Sequence, residues 1–164
     1  MDEDDARRKL IGMLRSAYSG ELAAGLAYRG HWTSLSDAAE RDAIAKIEGE
    51  EWTHRREVGI LLRALGAKPL RLREIKMRIV GSAVAVSCHL GSWILPMYFA
   101  GRLEHTNIRE YEDGAEWARV LRLPAYERAL LEMAAVEREH EAFFLRTVAA
   151  HPLLPALRRL FTWG

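Results

Sequence analysis

The chain has 164 residues, 49% of them hydrophobic, and its length suits one domain, spanning 1–164, that can bury a core. Its 24 basic and 23 acidic side chains leave a net charge of +1, which offers no general attraction to nucleic acid, so no nucleic-acid partner is expected. The single cysteine, Cys88, excludes an intrachain disulfide and a four-thiolate iron centre, and with the acidic segment 1–5 it leads us to expect a cytoplasmic protein without an export signal.

Two amphipathic helices are predicted in the first part of the chain from apolar residues spaced three and four positions apart. The first covers about residues 5–32 and has Glu21 in the middle of its apolar stripe. The second covers about residues 37–65, presents Glu51 and His54 on its apolar face, and ends where a glycine and a proline follow. Both helices therefore place carboxylate or imidazole groups among side chains that should face a core.

A segment without charged side chains follows the second helix. Residues 80–101 contain no Asp, Glu, Lys or Arg, and a segment of this length could span a bilayer. Glycines and a proline interrupt it, however, and Pro96 suits the first turn of a helix. We therefore interpret residues 67–95 as a crossover, which returns the chain to the end of a bundle where a third helix, parallel to the second, can begin.

Two further helices and a short tail are predicted after the crossover. The third helix covers about residues 96–113, carries Glu104 on its apolar face and ends at an Asp-Gly pair. The fourth covers about residues 124–150 and carries a second Glu-x-x-His pair. Residues 153–163 are predicted to form a short C-terminal tail helix.

The two Glu-x-x-His pairs and two further glutamates are the main chemical signal. A Glu and a His three positions apart on a helix face the same way, and each pair follows another glutamate by about one helical hairpin. A single such glutamate would more often form an ion pair at a groove edge, but six positions in phase with four apolar stripes favour a metal centre. The candidate metal ligands are Glu21, Glu51, His54, Glu104, Glu137 and His140.

The ligand types and their spacing indicate two metal ions. Mixed carboxylate and imidazole ligands suit iron, with manganese as the alternative. By spacing, Glu51 and Glu137 are predicted to bridge the two ions. The ligands that complete the two sites are then Glu21 with His54, and Glu104 with His140.

Other polar side chains near these positions can be interpreted either as part of the site or as ordinary structural residues. Tyr28 and Tyr111 lie one or two turns from ligands, so they either donate to the site or pack in the core. Glu48 or Glu50 could orient a ligand histidine from behind. The four histidines outside the Glu-x-x-His pairs are interpreted as surface or hydrogen-bonded side chains: His31, His89, His105 and His151.

Several of these segments resemble the demethoxyubiquinone hydroxylases, which are ferritin-like di-iron monooxygenases of ubiquinone biosynthesis. The similar segments are 20–30, 51–54, 65–69, 100–104 and 137–140. The resemblance covers about residues 10–145. It implies an all-α, ferritin-like four-helix bundle with a long crossover and a short C-terminal tail helix, in which the six candidate ligands bind two iron ions.

Two positions depart from the pattern of that family. Six positions after the ligand of the third helix, the family has a His-Tyr pair implicated in substrate handling, whereas this chain has Glu110-Tyr111. Before the ligand of the fourth helix, the family has acidic residues where this chain has Ala134-Ala135-Val136. The resemblance therefore implies a catalytic role for Tyr111 and Glu110 and leaves the ligand set unchanged.

The expected function is that of a di-iron oxidoreductase that activates dioxygen and hydroxylates a quinone-like or other lipophilic substrate, with electrons from an external donor. The alternatives are a ferritin-like iron oxidase or peroxide scavenger, and a structural or interaction bundle with a non-catalytic metal site. A hydroxylase needs an apolar channel, whereas an iron oxidase needs an acidic access route. The residues expected to line the apolar channel are Trp93, Ile94, Leu95, Met97 and Phe99.

A peripheral contact with the inner face of the membrane is also expected. The apolar crossover and the tail 153–163 are predicted to form one exposed patch beside the basic run 68–78. A spanning helix at this place would draw Glu104 away from the other candidate ligands. Assembly into a homo-oligomer is left open.

Overall fold

The structure, a computed structural model, describes residues 1–164 and is entirely helical in its regular elements. Its six helices are α1 (Glu3–Ser34), α2 (Ala38–Ala64), α3 (Arg71–Leu90), α4 (Ile94–Val120), α5 (Pro124–Val148) and α6 (Leu154–Phe161). The expected all-α class is therefore correct, and the helices form a bundle.

Local side-chain chemistry fixes where the first helices begin and end. The carboxylate of Asp2 accepts a hydrogen bond from the backbone of Asp5 at 2.7 Å, and Asp37 caps α2 in the same way through Glu40 at 2.9 Å. These aspartates satisfy backbone N–H groups that a helix start leaves without partners. Gly66, with a φ of +73°, then turns the chain away from the end of α2, in a conformation that glycine adopts at little cost.

Four long helices surround a polar layer that lies between two apolar clusters. One cluster includes Leu14 of α1, Leu62 of α2 and Leu130 of α5, and the other joins the opposite ends of the same helices through residues such as Ile44 and Phe144. The order of these residues along the chain shows that α1 is antiparallel to α2, and α4 to α5. In each of these four helices, the candidate ligands fall between the two clusters.

The predicted crossover is mostly the helix α3, which packs along α1. Near its start, Arg73 donates hydrogen bonds to the hydroxyls of Ser16 and Ser19, each at 2.7 Å. Near its end, the His89 ring lies 3.2 Å from the hydroxyl of Thr33. The helix therefore runs parallel to α1 and carries the chain from the end of α2 to the start of α4.

Small residues let α3 approach α1 closely. A Cβ on Gly81 would lie 2.6 Å from the backbone oxygen of Ala23, and a Cβ on Gly30 would collide with the backbone of Ala85. Of the glycines that interrupt the apolar segment, Gly81 is thus a contact point between α3 and α1.

The expected end of the third predicted helix at residue 113 is wrong, because α4 continues to Val120. Gly114 is helical and faces the side chain of Met13, where a Cβ would collide. Ala115 and Ala118 are buried in the same cluster, so the last turns of α4 are held by packing. The helix also begins at Ile94, two residues before Pro96, which lies in its first turn.

The prediction that the crossover and the tail form one exposed apolar patch is only partly correct. In the tail, Leu154, Leu157 and Trp163 are buried, and the Tyr98 hydroxyl lies 3.1 Å from the Leu157 carbonyl and 2.8 Å from that of Trp163. The tail is thus docked on α4. On α3, by contrast, an outward stripe is exposed, consisting of Leu72, Ile75, Ile79, Val86 and Leu90. None of the six helices has both the length and the apolar character that crossing a membrane requires.

Candidate metal centre

The polar layer of the bundle brings all six candidate ligands together. They fall into two groups, within each of which one ligand atom per residue lies within 4.8 Å of the others. The groups are Glu21, Glu51, His54 and Glu137, and Glu51, Glu104, Glu137 and His140. All six side chains are buried, so the layer is a closed cluster of four carboxyl and two imidazole groups.

Two glutamates are common to both groups. One oxygen of Glu137 lies 3.0 Å from Nδ1 of His54, and its other oxygen lies 3.3 Å from Nδ1 of His140. Glu51 lies 3.5 Å from the same nitrogen of His140. A carboxylate can bridge two metal ions when its two oxygens face different halves of a site, and Glu51 and Glu137 occupy the positions from which this could occur.

A carboxylate behind the cluster contacts one of its histidines. The Nε2 atom of His140 lies 2.9 Å from Glu50, which also pairs with Lys46 at 3.1 Å. This contact turns Nδ1 of His140 towards the cluster, as an orienting partner should. Glu48, the other residue considered for this role, instead accepts hydrogen bonds from Arg29 and from two tryptophan indoles.

Two tyrosines cross the cluster to reach the carboxylates that are not shared. Tyr28 donates to Oε1 of Glu104, and Tyr111 donates to Oε1 of Glu21. The amide of Asn107 reaches the other oxygen of Glu104 at 3.2 Å. The two tyrosines therefore contact the site directly. The contact of Asn107 with Glu104 was not predicted from the sequence. The only signal for it there is that Asn107 lies three positions after Glu104 on the same helix.

Burial dominates the electrostatics of the cluster. It holds the pKa of Glu51 and of Glu104 well above the ordinary value of 4.5, and neighbouring carboxylates raise both pKa values further. Burial also raises the pKa of Glu137 to about 8. The pKa values of Tyr28 and Tyr111 are raised well above 10.0, first by burial and then by the nearby glutamates. Without cations, the cluster would therefore have to hold protons.

The donor set of the cluster fits metal ions. Three buried carboxylate oxygens, Oε2 of Glu21 and both oxygens of Glu51, have no hydrogen-bond partner. Buried polar atoms nearly always have partners, and four carboxylates close together repel one another. Divalent cations would satisfy these oxygens and offset the charge. The buried Glu and His groups could therefore hold a metal ion.

An apolar groove between α1, α3 and α4 leads to the cluster. Its inner cavity, of about 310 Å³, is lined by Glu21, Tyr111 and Glu110. Its outer cavity, of about 280 Å³, is lined by Tyr28 and His31. Both cavities share the lining residues Ala24, Ala27, Val84, Leu103 and Thr106, so they adjoin.

The residues expected to line the channel are mostly elsewhere. Of the five, only Phe99 lines the groove, together with Pro96. Ile94 and Met97 are buried in an apolar cluster instead, because the phase of α4 turns them inward.

Glu110 and Tyr111 occupy different positions relative to the candidate ligands. Tyr111 touches Glu21, whereas Glu110 lines the inner cavity. Burial raises the pKa of Glu110, and the hydroxyl of Ser16 partly opposes this. Glu110 is thus placed to meet a molecule in the groove rather than to bind metal.

A second surface depression lies on the opposite side of the bundle. It has a volume of about 230 Å³ and is lined by Glu50, Glu57, Glu132 and His54. It therefore offers an acidic surface beside one of the candidate ligands, a feature that was not expected from the sequence.

The other four histidines lie outside the cluster. His89 contacts Thr33, His105 pairs with Glu141 at 2.8 Å, and His151 stacks against a tryptophan. His31 differs from the sequence-based interpretation, because it is buried and its Nε2 atom has no hydrogen-bond partner.

Comparison with protein family models, curated proteins and solved structures found no match. What the molecule itself establishes is a helical bundle with a buried Glu and His cluster that could hold metal, approached by an apolar groove.

Proposed function

We propose that this chain is a ferritin-like di-iron oxidoreductase that activates dioxygen and hydroxylates a lipophilic substrate. The observation that carries the proposal is the contact between two features: four buried carboxyl groups with two imidazoles, and an apolar groove whose inner wall includes Glu21 and Tyr111. The resemblance of several segments to the demethoxyubiquinone hydroxylases supports the same class of reaction and suggests a quinone-like ring.

The ligand set supports iron, with manganese as the alternative. Glu51 and Glu137 would bridge two ions, while Glu21 with His54 and Glu104 with His140 would complete the two sites. When bound, two ferrous ions would supply the reducing chemistry that dioxygen activation requires. A hydroxylation of this kind consumes one dioxygen, two protons and two electrons from an external donor, and it yields one hydroxylated product and one water.

The protein's own residues would position the reaction and keep it dry. Tyr28 and Tyr111 hold the carboxylates of Glu104 and Glu21 by hydrogen bonds, and Glu50 fixes the ring of His140. The closed apolar clusters on both sides exclude water from the polar layer. Glu110 lines the inner cavity, and burial raises its pKa above the ordinary value, so in its protonated form it could donate a hydrogen bond to a substrate there.

A second candidate function is that of a ferritin-like iron oxidase or peroxide scavenger. The acidic depression beside His54 supports it, because Glu50, Glu57 and Glu132 could attract cations towards the cluster. We favour the hydroxylase because the apolar groove would have no use in iron oxidation. A structural or interaction bundle with a non-catalytic metal site is the third alternative. The groove argues against it too, because such a bundle would have no use for an apolar groove that leads to the metal site.

Peripheral membrane contact is proposed for the outward face of α3. Its exposed apolar stripe is flanked by the exposed basic residues Arg71, Lys76 and Arg78, which suit an anionic leaflet at about 1 kcal/mol each. Co-sedimentation with anionic vesicles at low salt should show binding, and Ile79→Glu should abolish it. Val120→Glu, at an exposed apolar site on α4, is the matched control and should have no effect. Absence of wild-type binding would remove this contact from the proposal.

The proposed reaction is tested by exposing the anaerobic Fe(II)-loaded protein to dioxygen and following its optical spectrum with and without a short-chain quinol. A hydroxylase should show new absorption on oxygen addition and a hydroxylated quinol by mass spectrometry, with the oxygen atom derived from labelled dioxygen. A protein that oxidises Fe(II) rapidly and leaves the quinol unchanged would support the iron oxidase instead.

A further inference from the structure

The two halves of the candidate metal centre repeat one pattern along the chain. We call Glu21 with His54 the first half-site and Glu104 with His140 the second half-site, and the other two ligands belong to both groups. In each half, the unshared glutamate is followed seven positions later by a tyrosine, and a shared glutamate comes three positions before the histidine. A contact that is present in one half and absent from the other therefore distinguishes the two metal positions.

The two histidines differ at Nε2, the ring nitrogen away from the shared glutamates. In the second half-site, Nε2 of His140 lies 2.9 Å from the carboxylate of Glu50, the residue just before the shared glutamate of α2. The equivalent residue on α5 is Val136, whose side chain cannot accept a hydrogen bond. His54 forms its hydrogen bond through Nδ1, and its Nε2 has no partner in the chain. The orienting contact of the second half-site is thus absent from the first.

Nε2 of His54 also keeps contact with solvent. Four buried side-chain atoms in the molecule lack a hydrogen-bond partner, and this nitrogen, which also lacks one, is not among them. Only water can therefore accept its hydrogen bond. His54 and Val136 both line the depression of about 230 Å³, so the residue that stands where a carboxylate is missing lies on the same surface as the ring.

The two unshared glutamates differ in the same direction. Each accepts a hydrogen bond from a tyrosine at Oε1. Oε2 of Glu104 also accepts one from the amide of Asn107 at 3.2 Å, whereas Oε2 of Glu21 is buried and has no partner. Asn107 lies three positions after Glu104, and the residue three positions after Glu21 is Ala24. Each ligand of the second half-site therefore has one supporting contact that its counterpart in the first half-site lacks.

We infer that the two metal positions are unequal: the second half-site holds its ion more tightly, and the first half-site exchanges its ion with solution. Loss of a hydrogen-bonding partner behind a metal ligand typically lowers metal affinity about 10- to 100-fold, and we expect a difference of this size between the halves. The inference rests on the metal centre of the proposed function, but not on the reaction with dioxygen. Between the two dissociation constants the chain would hold one ion, so the two-ion state would depend on the supply of metal.

Anaerobic titration of the metal-free, full-length protein with Fe(II), in competition with a chromophoric chelator, tests this inequality. Wild-type protein should bind two ions in two steps whose affinities differ about 10- to 100-fold. Glu21→Gln removes a ligand of the first half-site, and Glu104→Gln removes one of the second. The ion that Glu21→Gln retains should therefore bind more tightly than the ion that Glu104→Gln retains, by a similar factor. A single step in the wild type, equal affinities in the two variants, or the opposite order would each overturn the inference.

Val136→Glu supplies a carboxylate at the position equivalent to Glu50, and it should strengthen the weaker site. We expect the weaker step to tighten about 10-fold or more and the tighter step to stay unchanged. Ala135→Glu is the matched control, because it adds the same charge at the neighbouring exposed position, which does not line the depression. Circular dichroism and a melting curve establish that each variant is folded.

Two results of this substitution would count against the inference. A folded Val136→Glu protein whose weaker step is unchanged would show that the missing partner of His54 does not set the affinity. An equal gain in Ala135→Glu would attribute the effect to added charge instead of ring orientation, and would overturn the inference as well.

These outcomes are separable from those of the proposed reaction because metal binding requires no turnover. A protein with two equally tight sites would keep the metal centre and contradict only the inequality. A protein with two unequal sites that never reacts with dioxygen would contradict the oxidoreductase and keep the inference. A folded protein that binds no iron would overturn both.

Discussion

The hydroxyl of Tyr28 on α1 donates a hydrogen bond to the carboxylate of Glu104 on α4. The relationship is mirrored on the same pair of helices, because Tyr111 of α4 donates to Glu21 of α1. Each tyrosine stands seven positions after the glutamate of its own helix. The two contacts therefore lock α1 and α4 together across the polar layer and hold both unshared carboxylates in place.

Removal of either hydroxyl should destabilise the protein. Tyr28→Phe or Tyr111→Phe leaves a buried carboxylate oxygen without a donor, and we expect a loss of about 1–3 kcal/mol in urea unfolding. Tyr126→Phe is the control, because it removes a hydrogen bond to a backbone carbonyl far from the cluster. The control should lose about 1 kcal/mol at most and keep its full metal content. Equal effects of all three changes on metal affinity would argue that the crossed contacts have no part in the site.

Glu50 should affect metal binding through His140. Glu50→Gln weakens the contact at Nε2, and the resulting freedom of the ring should lower metal affinity by about 10- to 100-fold. Glu57→Gln is a matched control, since Glu57 lines the same acidic depression without touching a ligand histidine. Competition with a chelator measures both affinities. A larger loss in Glu57→Gln would indicate that the depression, and not ligand orientation, controls metal binding.

The positions of the candidate ligands could be predicted from the sequence because they follow helical spacing, a local property. Six residues in phase with four apolar stripes had to converge if the helices packed. The contact of Asn107 with Glu104 and the choice of Glu50 over Glu48 as the partner of His140 could not be predicted, because they depend on the rotation of each helix about its axis. Gly114, where α4 continues, packs against Met13, and a contact between residues so distant in sequence could not be predicted either. The lining of the channel was mispredicted because it also depends on helix rotation, and the rotation of α4 turns Ile94 and Met97 towards the core.

The stability of the metal-free protein should fall as pH rises. Glu51, Glu104 and Glu137 have raised pKa values when folded, so the folded chain holds more protons than the unfolded chain above the ordinary value of 4.5. Their contribution is fully present below that value and is lost as pH rises through their folded pKa values, which for Glu137 is about 8. The melting temperature after chelation should therefore decrease from pH 5 to pH 8.

Metal should reverse this trend because it binds the ionised carboxylates. The stabilisation that metal confers should therefore grow between pH 5 and pH 8. Differential scanning calorimetry of chelated and loaded samples measures both trends. A chelated protein whose melting temperature is constant across this interval would show that folding does not raise the pKa values of these glutamates.

Replacement of a shared glutamate should harm the site more than replacement of an unshared one. Glu51 and Glu137 belong to both ligand groups, whereas Glu21 and Glu104 belong to one each. We expect Glu51→Gln or Glu137→Gln to lose both ions, and Glu21→Gln or Glu104→Gln to retain about one per chain. Elemental analysis of the four variants, each checked for helical content, tests the assignment. Equal losses in all four would contradict a bridging role.

The central claim is that the polar layer holds two metal ions, and an anaerobic Fe(II) titration of the metal-free protein tests it most directly. Binding measured by equilibrium dialysis should saturate at about two ions per chain, as the two ligand groups with shared glutamates require. A double variant, Glu51→Gln with Glu137→Gln, should bind none and serves as the baseline. Wild-type protein that is folded, with all six side chains intact, and that binds no more iron than this baseline would contradict the account.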